Sequence, residues 1–310
     1  MPGAGIFHNK EKSMGTVTKI GFAGLGQMGK HMARNLLGPD VALTVCDLKK
    51  DLFESFRASG AGATTRPADL ADCDVIFLCL SGDAVIKAFL FGDDGLMPNL
   101  GQGQIVVDCS TAGVALTREI AAAMAGKGVE FLDAPVSGME ARAKDGTLSI
   151  MVGGSAAVLK KVEAFLGRMG NKVLHVGDTG SGQLTKLVNQ LLFDINMAAL
   201  AEVLPLAVKM GLDPVKTGEI INSGTGRSYA SEFFLPNILK NSFGDGYPLR
   251  NAYKDLISGI SLAVAECVPL PVLSAATATY QTAMLKGYGS EDKGAMIKVF
   301  EELLGVACRE

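Results

Sequence analysis

Ile20-Gly21-Phe22-Ala23-Gly24-Leu25-Gly26-Gln27-Met28-Gly29 decides how the rest of the chain is read. Before its glycines, Val17 to Ala23 reads as a strand; after them, Met28 to Leu37 carries apolar residues at helical spacing and stops at Gly38-Pro39. The glycine turn therefore joins strand to helix in a first βαβ unit. In that setting Gly24 permits the tight turn, Gly26 lets the backbone approach a pyrophosphate, and Gly29 lets helix pack on strand, while the helix start offers N–H groups to the anion. Gly24, Leu25, Gly26, Gln27, Met28 and Gly29 form the expected dinucleotide cradle. Asp47 follows the next predicted strand, 18 residues after Gly29, where a carboxylate accepts hydrogen bonds from the adenosine ribose hydroxyls and repels a 2′-phosphate. NAD is the expected cofactor, with NADP left open by the neighbouring Lys49 and Lys50.

Outward from this unit the alternation continues. Val41 to Cys46, Val75 to Leu80, Ile105 to Asp108, Val129 to Asp133, Leu148 to Val152 and Lys172 to Val176 read as strands. Leu52 to Ser59, Ala84 to Phe91, Leu116 to Gly126 and Ala157 to Leu166 read as the helices between them. Such alternation predicts a parallel sheet wound on both faces. Beyond Gly182 the pattern is helical only: Gln183 to Met210, Pro214 to Asn222, Arg250 to Glu266, Pro269 to Met284 and Gly294 to Leu304. The fold class is thus α/β, an N-terminal Rossmann doubly wound sheet over 17–180 followed by an all-α domain over 181–310. The boundary falls within Gly177-Asp178-Thr179-Gly180-Ser181-Gly182.

The 310 residues are 48% apolar and 20% charged, as expected of a globular chain of two domains. A formal charge of −3 without a basic run argues against nucleic acid, and the apolar stretch Leu184 to Val203 is interrupted by Lys186, Asp194 and Glu202, which argues against a membrane span. Residues 1–16 read as a flexible tail without the apolar core of a secretory signal, with Met14 a candidate natural start. The six cysteines form no CxxC pair, and the three histidines (His8, His31, His175) have no metal-site spacing, so the expectation is a cytoplasmic protein without disulfides or metal. Each histidine reads as structural rather than catalytic.

Four segments carry a resemblance to a known family. They are the Gly24 turn; Phe131-Leu132-Asp133-Ala134-Pro135-Val136-Ser137-Gly138 with Gly146-Thr147-Leu148; Gly182-Gln183-Leu184-Thr185-Lys186-Leu187-Val188-Asn189-Gln190; and Lys254-Asp255-Leu256. In this order they resemble the β-hydroxyacid dehydrogenases, which include 3-hydroxyisobutyrate dehydrogenase and tartronate semialdehyde reductase and are related to 6-phosphogluconate dehydrogenase. The resemblance spans Ile20 to Gly305. It implies an NAD(H)-dependent enzyme interconverting a short β-hydroxyacid and its semialdehyde in a cleft between the two domains.

The residue roles follow from that resemblance. Lys186 is the implied general acid/base, Asn189 holds the same substrate oxygen, and Ser137 with the Gly138 N–H binds the substrate carboxylate. Ser110 and Thr111, Leu80 and Ser81, and Lys254 are placed along the nicotinamide end of the cofactor. On the Gln183 helix, Leu184, Leu187, Val188, Leu191, Leu192 and Ile195 form an apolar stripe, with Lys186, Asn189, Gln190 and Phe193 on another face. A lysine needs its pKa lowered from about 10.4 to work as a base near neutrality, which a desolvated site supplies.

Two departures bear on the substrate. Met139 replaces the family's second glycine, and the loop that follows brings Arg142 where relatives carry a small residue; Arg142 is either solvent-facing or a partner for a second anionic group such as a carboxylate or sulfonate. The expected assembly is a homodimer or homotetramer. Two rivals remain: an NADPH-dependent reductase of glyoxylate or succinic semialdehyde, disfavoured by Asp47, and a non-catalytic binding protein on the same scaffold, disfavoured by Lys186. Imine reduction is disfavoured for the same lysine.

Overall fold

A computed structural model describes residues 17–244 and 246–310. The expected tail, with His8 and Met14, lies outside the described residues. The chain forms two compact units, one ending at Gln183 and one beginning at Leu184.

The first unit runs β1 (Thr18–Ala23), α1 (Gly29–Asn35), β2 (Val41–Cys46), α2 (Phe53–Arg57), β3 (Gly62–Thr64), β4 (Val75–Leu78), α3 (Asp83–Phe91), β5 (Ile105–Asp108), α4 (Val114–Ala125), β6 (Glu130–Asp133), β7 (Val136–Ser137), α5 (Met139–Lys144), β8 (Leu148–Gly154), α6 (Ala156–Met169) and β9 (Gly170–Gly177). The sheet order is β3-β2-β1-β4-β5-β6-β8-β7, with β9 beside β8. From β3 to β6 every neighbouring pair is parallel, and the order reverses at β1 and β4, the switch point where α/β sheets open a crevice for ligands. Val75–Leu78 and Ile105–Asp108 are buried along their whole length, as strands covered on both faces must be.

Past β6 the structure departs from the expected parallel sheet. β8 runs antiparallel to β6 and to β7, whereas β9 is parallel to β8. The reason is connection length: only Ala134-Pro135 separates β6 from β7 and only residues 138–147 separate β7 from β8, too short for a parallel crossover of a dozen or more residues. The chain therefore doubles back as a hairpin. The segment expected as a loop after Gly138 is the short helix α5. β3 is a further element that the periodicity passes over, being three residues of Gly-Ala-Thr.

The second unit is helical: α7 (Ser181–Lys209, whose first turn belongs to the first unit), α8 (Pro214–Ser223), α9 (Tyr229–Leu239), α10 (Leu249–Ala265), α11 (Pro271–Leu285) and α12 (Ile297–Leu304). α9 has no counterpart in the sequence reading because Pro236 lies inside it; a capping box between Ser228 and Ser231 starts it. Met197, Ala201, Leu204, Phe234, Ile238, Leu256, Leu273 and Tyr280 build the core.

α7 reverses the expected faces. Leu184, Val188 and Leu192 are 39%, 52% and 59% exposed, while Lys186, Gln190 and Asp194, spaced four apart, are buried. By length and composition alone α7 is long and apolar enough to cross a membrane, a test that the core helix of a globular protein also passes. Its buried Lys186 and Asp194 nevertheless have polar partners within the second unit, as described below. All six thiols are free: Cys46, Cys73, Cys109 and Cys308 are buried, Cys79 half-buried, and Cys267 exposed after α10.

Candidate active site

In the first unit the glycine turn is assembled as its sequence requires. Gly24 has φ +94°, and a Cβ there would lie 2.2 Å from the Cys79 carbonyl oxygen; at Gly29 it would lie 1.9 Å from the Gly24 oxygen. These two glycines are demanded by backbone packing. Gly26 is different: nothing lies within 4 Å of a Cβ built on it, and the residue is exposed. The turn thus leaves open backbone where a pyrophosphate would approach, and the residues present fit a dinucleotide. Asp47 reaches this turn, one carboxylate oxygen accepting from the Leu25 N–H at 2.6 Å and the other from the Lys49 N–H at 2.8 Å. Two N–H bonds leave a carboxylate with acceptor capacity for a ribose.

Beside it, the Leu80 N–H donates to Ser110 Oγ at 2.8 Å, so the segments of β4 and β5 singled out by sequence meet. Ser81 and Thr111 are exposed next to them. Gln183, passed over as a site residue, joins the arrangement from within the first unit: its amide donates to the Ser110 carbonyl at 2.8 Å and its oxygen accepts from the Ala112 N–H at 3.0 Å.

Asp133 explains the acid that opens the Asp133-Ala134-Pro135 segment. Its oxygens accept from the N–H groups of Gly180 at 2.8 Å and Gln183 at 2.9 Å, a carboxylate at the start of a 29-residue helix. Burial raises its pKa and these N–H bonds oppose the rise. Gly182 is packed so tightly that a Cβ would lie 2.5 Å from the Met151 oxygen. Asp108, in register with Asp133, is raised to about 6 chiefly by burial, against the bonds from Ser110.

The Ser137-Gly138-Met139 turn connects β7 to α5. Gly138 has φ +145° and Met139 φ +62°, so Met139 occupies left-handed backbone that costs an L-residue roughly 1–2 kcal/mol. That conformation accounts for the glycine expected at this place. Arg142, whose role was left between solvent and a second anion, donates to the Thr147 carbonyl and so closes the connection to β8. His31 bonds Glu140 at 2.9 Å and His175 bonds the Gly154 carbonyl at 2.7 Å, both structural ties.

In the second unit, Lys186 is 8% exposed. Its Nζ donates to Gln190 Oε1 at 3.0 Å; the Gln190 amide donates to Asp255 Oδ2 at 3.3 Å, which also accepts from the Tyr247 hydroxyl at 3.4 Å. Asn189 meets the lysine at the same Gln190 oxygen, at 3.4 Å. Burial pushes Lys186 down to about 8; the positive Lys293 acts in the same direction, and Asp255 and Asp194 oppose it. Deeper in the unit, fully buried Lys293 pairs with fully buried Asp194 at 2.5 Å, its ammonium 3.2 Å from the Phe193 ring centroid.

The sequence reading selected Lys254 from Lys254-Asp255-Leu256; the structure leaves Lys254 exposed and brings Asp255 into the lysine's network. The signal for Asp255 and Asp194 was available in principle, since carboxylates on otherwise apolar helices need buried partners.

The chain matches two family models: the NAD binding domain of 6-phosphogluconate dehydrogenase over residues 19–177 and the NAD-binding domain of NADP-dependent 3-hydroxyisobutyrate dehydrogenase over 180–300. Among curated relatives, the 2-(hydroxymethyl)glutarate dehydrogenase of Eubacterium barkeri is 40% identical over 93% of this chain and 97% of that protein. The mitochondrial 3-hydroxyisobutyrate dehydrogenase of Drosophila melanogaster is 35% identical over 90% and 88%. Among solved structures, a 3-hydroxyisobutyrate dehydrogenase from Salmonella typhimurium superposes with a TM-score of 0.84 at 30% identity, covering 91% of this chain and 99% of that one.

Proposed function

This chain belongs to the β-hydroxyacid dehydrogenases, NAD(P)-dependent enzymes acting on CH–OH groups, and from that premise we propose that it interconverts a C2-substituted 3-hydroxypropanoate and its semialdehyde, with Lys186 as general acid/base. The two curated relatives supply the substrate class. 2-(Hydroxymethyl)glutarate and 3-hydroxyisobutyrate share the core HO–CH2–CH(R)–COO⁻ and differ in R. The observation that carries the reading is the buried Lys186, lowered to about 8 by desolvation, because an amine that is partly neutral near physiological pH is what alcohol oxidation requires.

A bound dinucleotide supplies the hydride acceptor in oxidation and the hydride donor in reduction. In oxidation, neutral Lys186 takes the hydroxyl proton as hydride leaves the carbinol carbon. In reduction, the ammonium returns a proton to the carbonyl oxygen. Asn189 donates to that oxygen, and the Ser137 hydroxyl with the Gly138 N–H holds the carboxylate without burying a second charge. Asp47 supports NAD over NADP, since a carboxylate already tied to the turn faces any 2′-phosphate with like charge. The exposed Leu184, Val188, Leu192, Val203 and Leu206 of α7 support a homo-oligomer, which light scattering on the purified chain tests.

An initial-rate screen tests the reading: NADH and NADPH against methylmalonate, tartronate and succinic semialdehydes, 2-formylglutarate and glyoxylate, with Lys186→Ala alongside. NADH-dependent turnover of a C2-substituted semialdehyde, lost in the variant, supports it. Equal turnover by Lys186→Ala, or turnover confined to NADPH with glyoxylate or succinic semialdehyde, overturns it.

A further inference from the structure

The first unit carries a charged cluster that the reaction above leaves without a role. Glu140 lies in the first turn of α5, two residues past Gly138, and its Oε1 is 2.7 Å from Lys30 Nζ and 2.9 Å from His31 Nε2. The Gln27 side chain also bonds this carboxylate, and Lys30 and His31 together hold it down at about 2. All three partners come from the glycine turn and the α1 residues that follow it. Segment 27–31 therefore grips a single carboxylate at the exit of the turn assigned to the substrate.

The far end of α5 is also tied to α1, by the Asn35 amide donating to the Ala143 carbonyl at 2.8 Å. The Ser137-Gly138-Met139 backbone lies between these ties and the pairing of Val136 and Ser137 with β8, and it has little freedom. Gly138 and Met139 both have positive φ, and a Cβ on Gly138 would lie 2.9 Å from Arg142 Cβ. The position of α5 on α1 thus sets the position of the Gly138 N–H. A carboxylate on the surface, contacted by one lysine, would be an ordinary ion pair of little consequence; convergence of three side chains from one ligand-binding segment is a different arrangement.

We propose that Glu140 is a positioning residue that couples the dinucleotide turn to the substrate turn, so that binding at one strengthens binding at the other. This rests on the reading that Ser137 and Gly138 hold the substrate carboxylate. Coupling between two ligands is reciprocal, which makes it measurable without turnover. NADH is titrated by fluorescence with and without saturating 3-hydroxyisobutyrate, on the parent, Glu140→Gln and Glu140→Ala, with thermal unfolding as the control for folding.

The parent is expected to bind NADH about fivefold more tightly when the hydroxyacid is present, the lower end of typical coupling. Glu140→Ala is expected to abolish that factor and to raise KM for the hydroxyacid with kcat little changed; Glu140→Gln, which keeps one acceptor oxygen but no charge, falls between. A folded Glu140→Ala protein with the parental factor overturns the proposal, as does a parent that binds both ligands independently. Failure of the parent to bind the hydroxyacid, with NADH still bound, overturns the substrate reading beneath it, and the proposal with it.

Discussion

The glycine turn separates two reasons for having no side chain, and substitution by alanine tells them apart. At Gly29 a Cβ would lie 1.9 Å from the Gly24 oxygen and 3.2 Å from the Phe22 ring. Ordinary contact begins near 3.4 Å, so α1 would have to retreat from β1 by about 1.5 Å. Overpacking of this kind costs about 2–3 kcal/mol. At roughly 2–4 °C per kcal/mol for a unit of this size, Gly29→Ala should lower Tm by about 5–10 °C.

At Gly26 no atom lies within 4 Å of the added carbon, and φ is not in the left-handed region. Gly26→Ala should therefore leave Tm within about 2 °C of the parent, or raise it slightly through a less flexible unfolded chain. Its cost should appear in NADH binding, as a loss of at least about tenfold where the methyl meets the pyrophosphate. Differential scanning fluorimetry and NADH fluorescence titration read the two effects independently. A Gly26→Ala protein that binds NADH like the parent would refute the assignment of this turn as the cradle, and a Gly29→Ala protein of parental stability would refute the packing argument.

Lys186→Met should abolish turnover while NADH still binds, which stopped-flow and fluorescence titration check together. With Lys186 as the proposed base, kcat/KM for hydroxyacid oxidation should rise with pH and level off above a midpoint near 8, since the proposal makes the neutral amine the working form; a midpoint near 10 would mean that the lysine is solvated. Asp194→Asn should destabilise the protein by about 3–5 kcal/mol by leaving Lys293 a buried charge without its partner, whereas Asp194→Ala combined with Lys293→Met should cost much less. Urea denaturation of both variants decides this. Asp47→Asn should raise the NADPH-to-NADH ratio of kcat/KM, since it removes the like-charge repulsion of a 2′-phosphate while keeping an acceptor for the Leu25 N–H.

How far the sequence was legible depended on whether a residue's neighbours are local. β4 and β5 were plain from their uninterrupted apolar runs, and the glycine turn from its place between strand and helix. The reversal at β8 was hidden because antiparallel pairing of β7 depends on connection length rather than periodicity, and α5 was obscured by the turn that starts it. α9 was lost to Pro236, whose helix is maintained by capping and by the burial of Phe234 and Ile238. On α7 the expected apolar stripe was real but faces outward over much of its length. Lys186, Gln190 and Asp194 could be buried only because Asp255 and Lys293 arrive from residues 65 and 99 positions further along the chain. Such pairings leave no local trace, which is also why Asp255 was passed over for its neighbour Lys254.

The distribution of thiols gives the protein a practical property. Burial pushes Cys73 up to about 11 and Cys46, Cys79 and Cys308 to about 12, and raises Cys109 well above the ordinary thiol value, so almost none of these is thiolate at neutral pH, the form that alkylating reagents attack. Cys267 stands exposed at the turn after α10. A maleimide dye at pH 7 should therefore attach at one position in the unmodified chain, giving a fluorescent reporter on the helical unit without a cysteine-free background having to be engineered first.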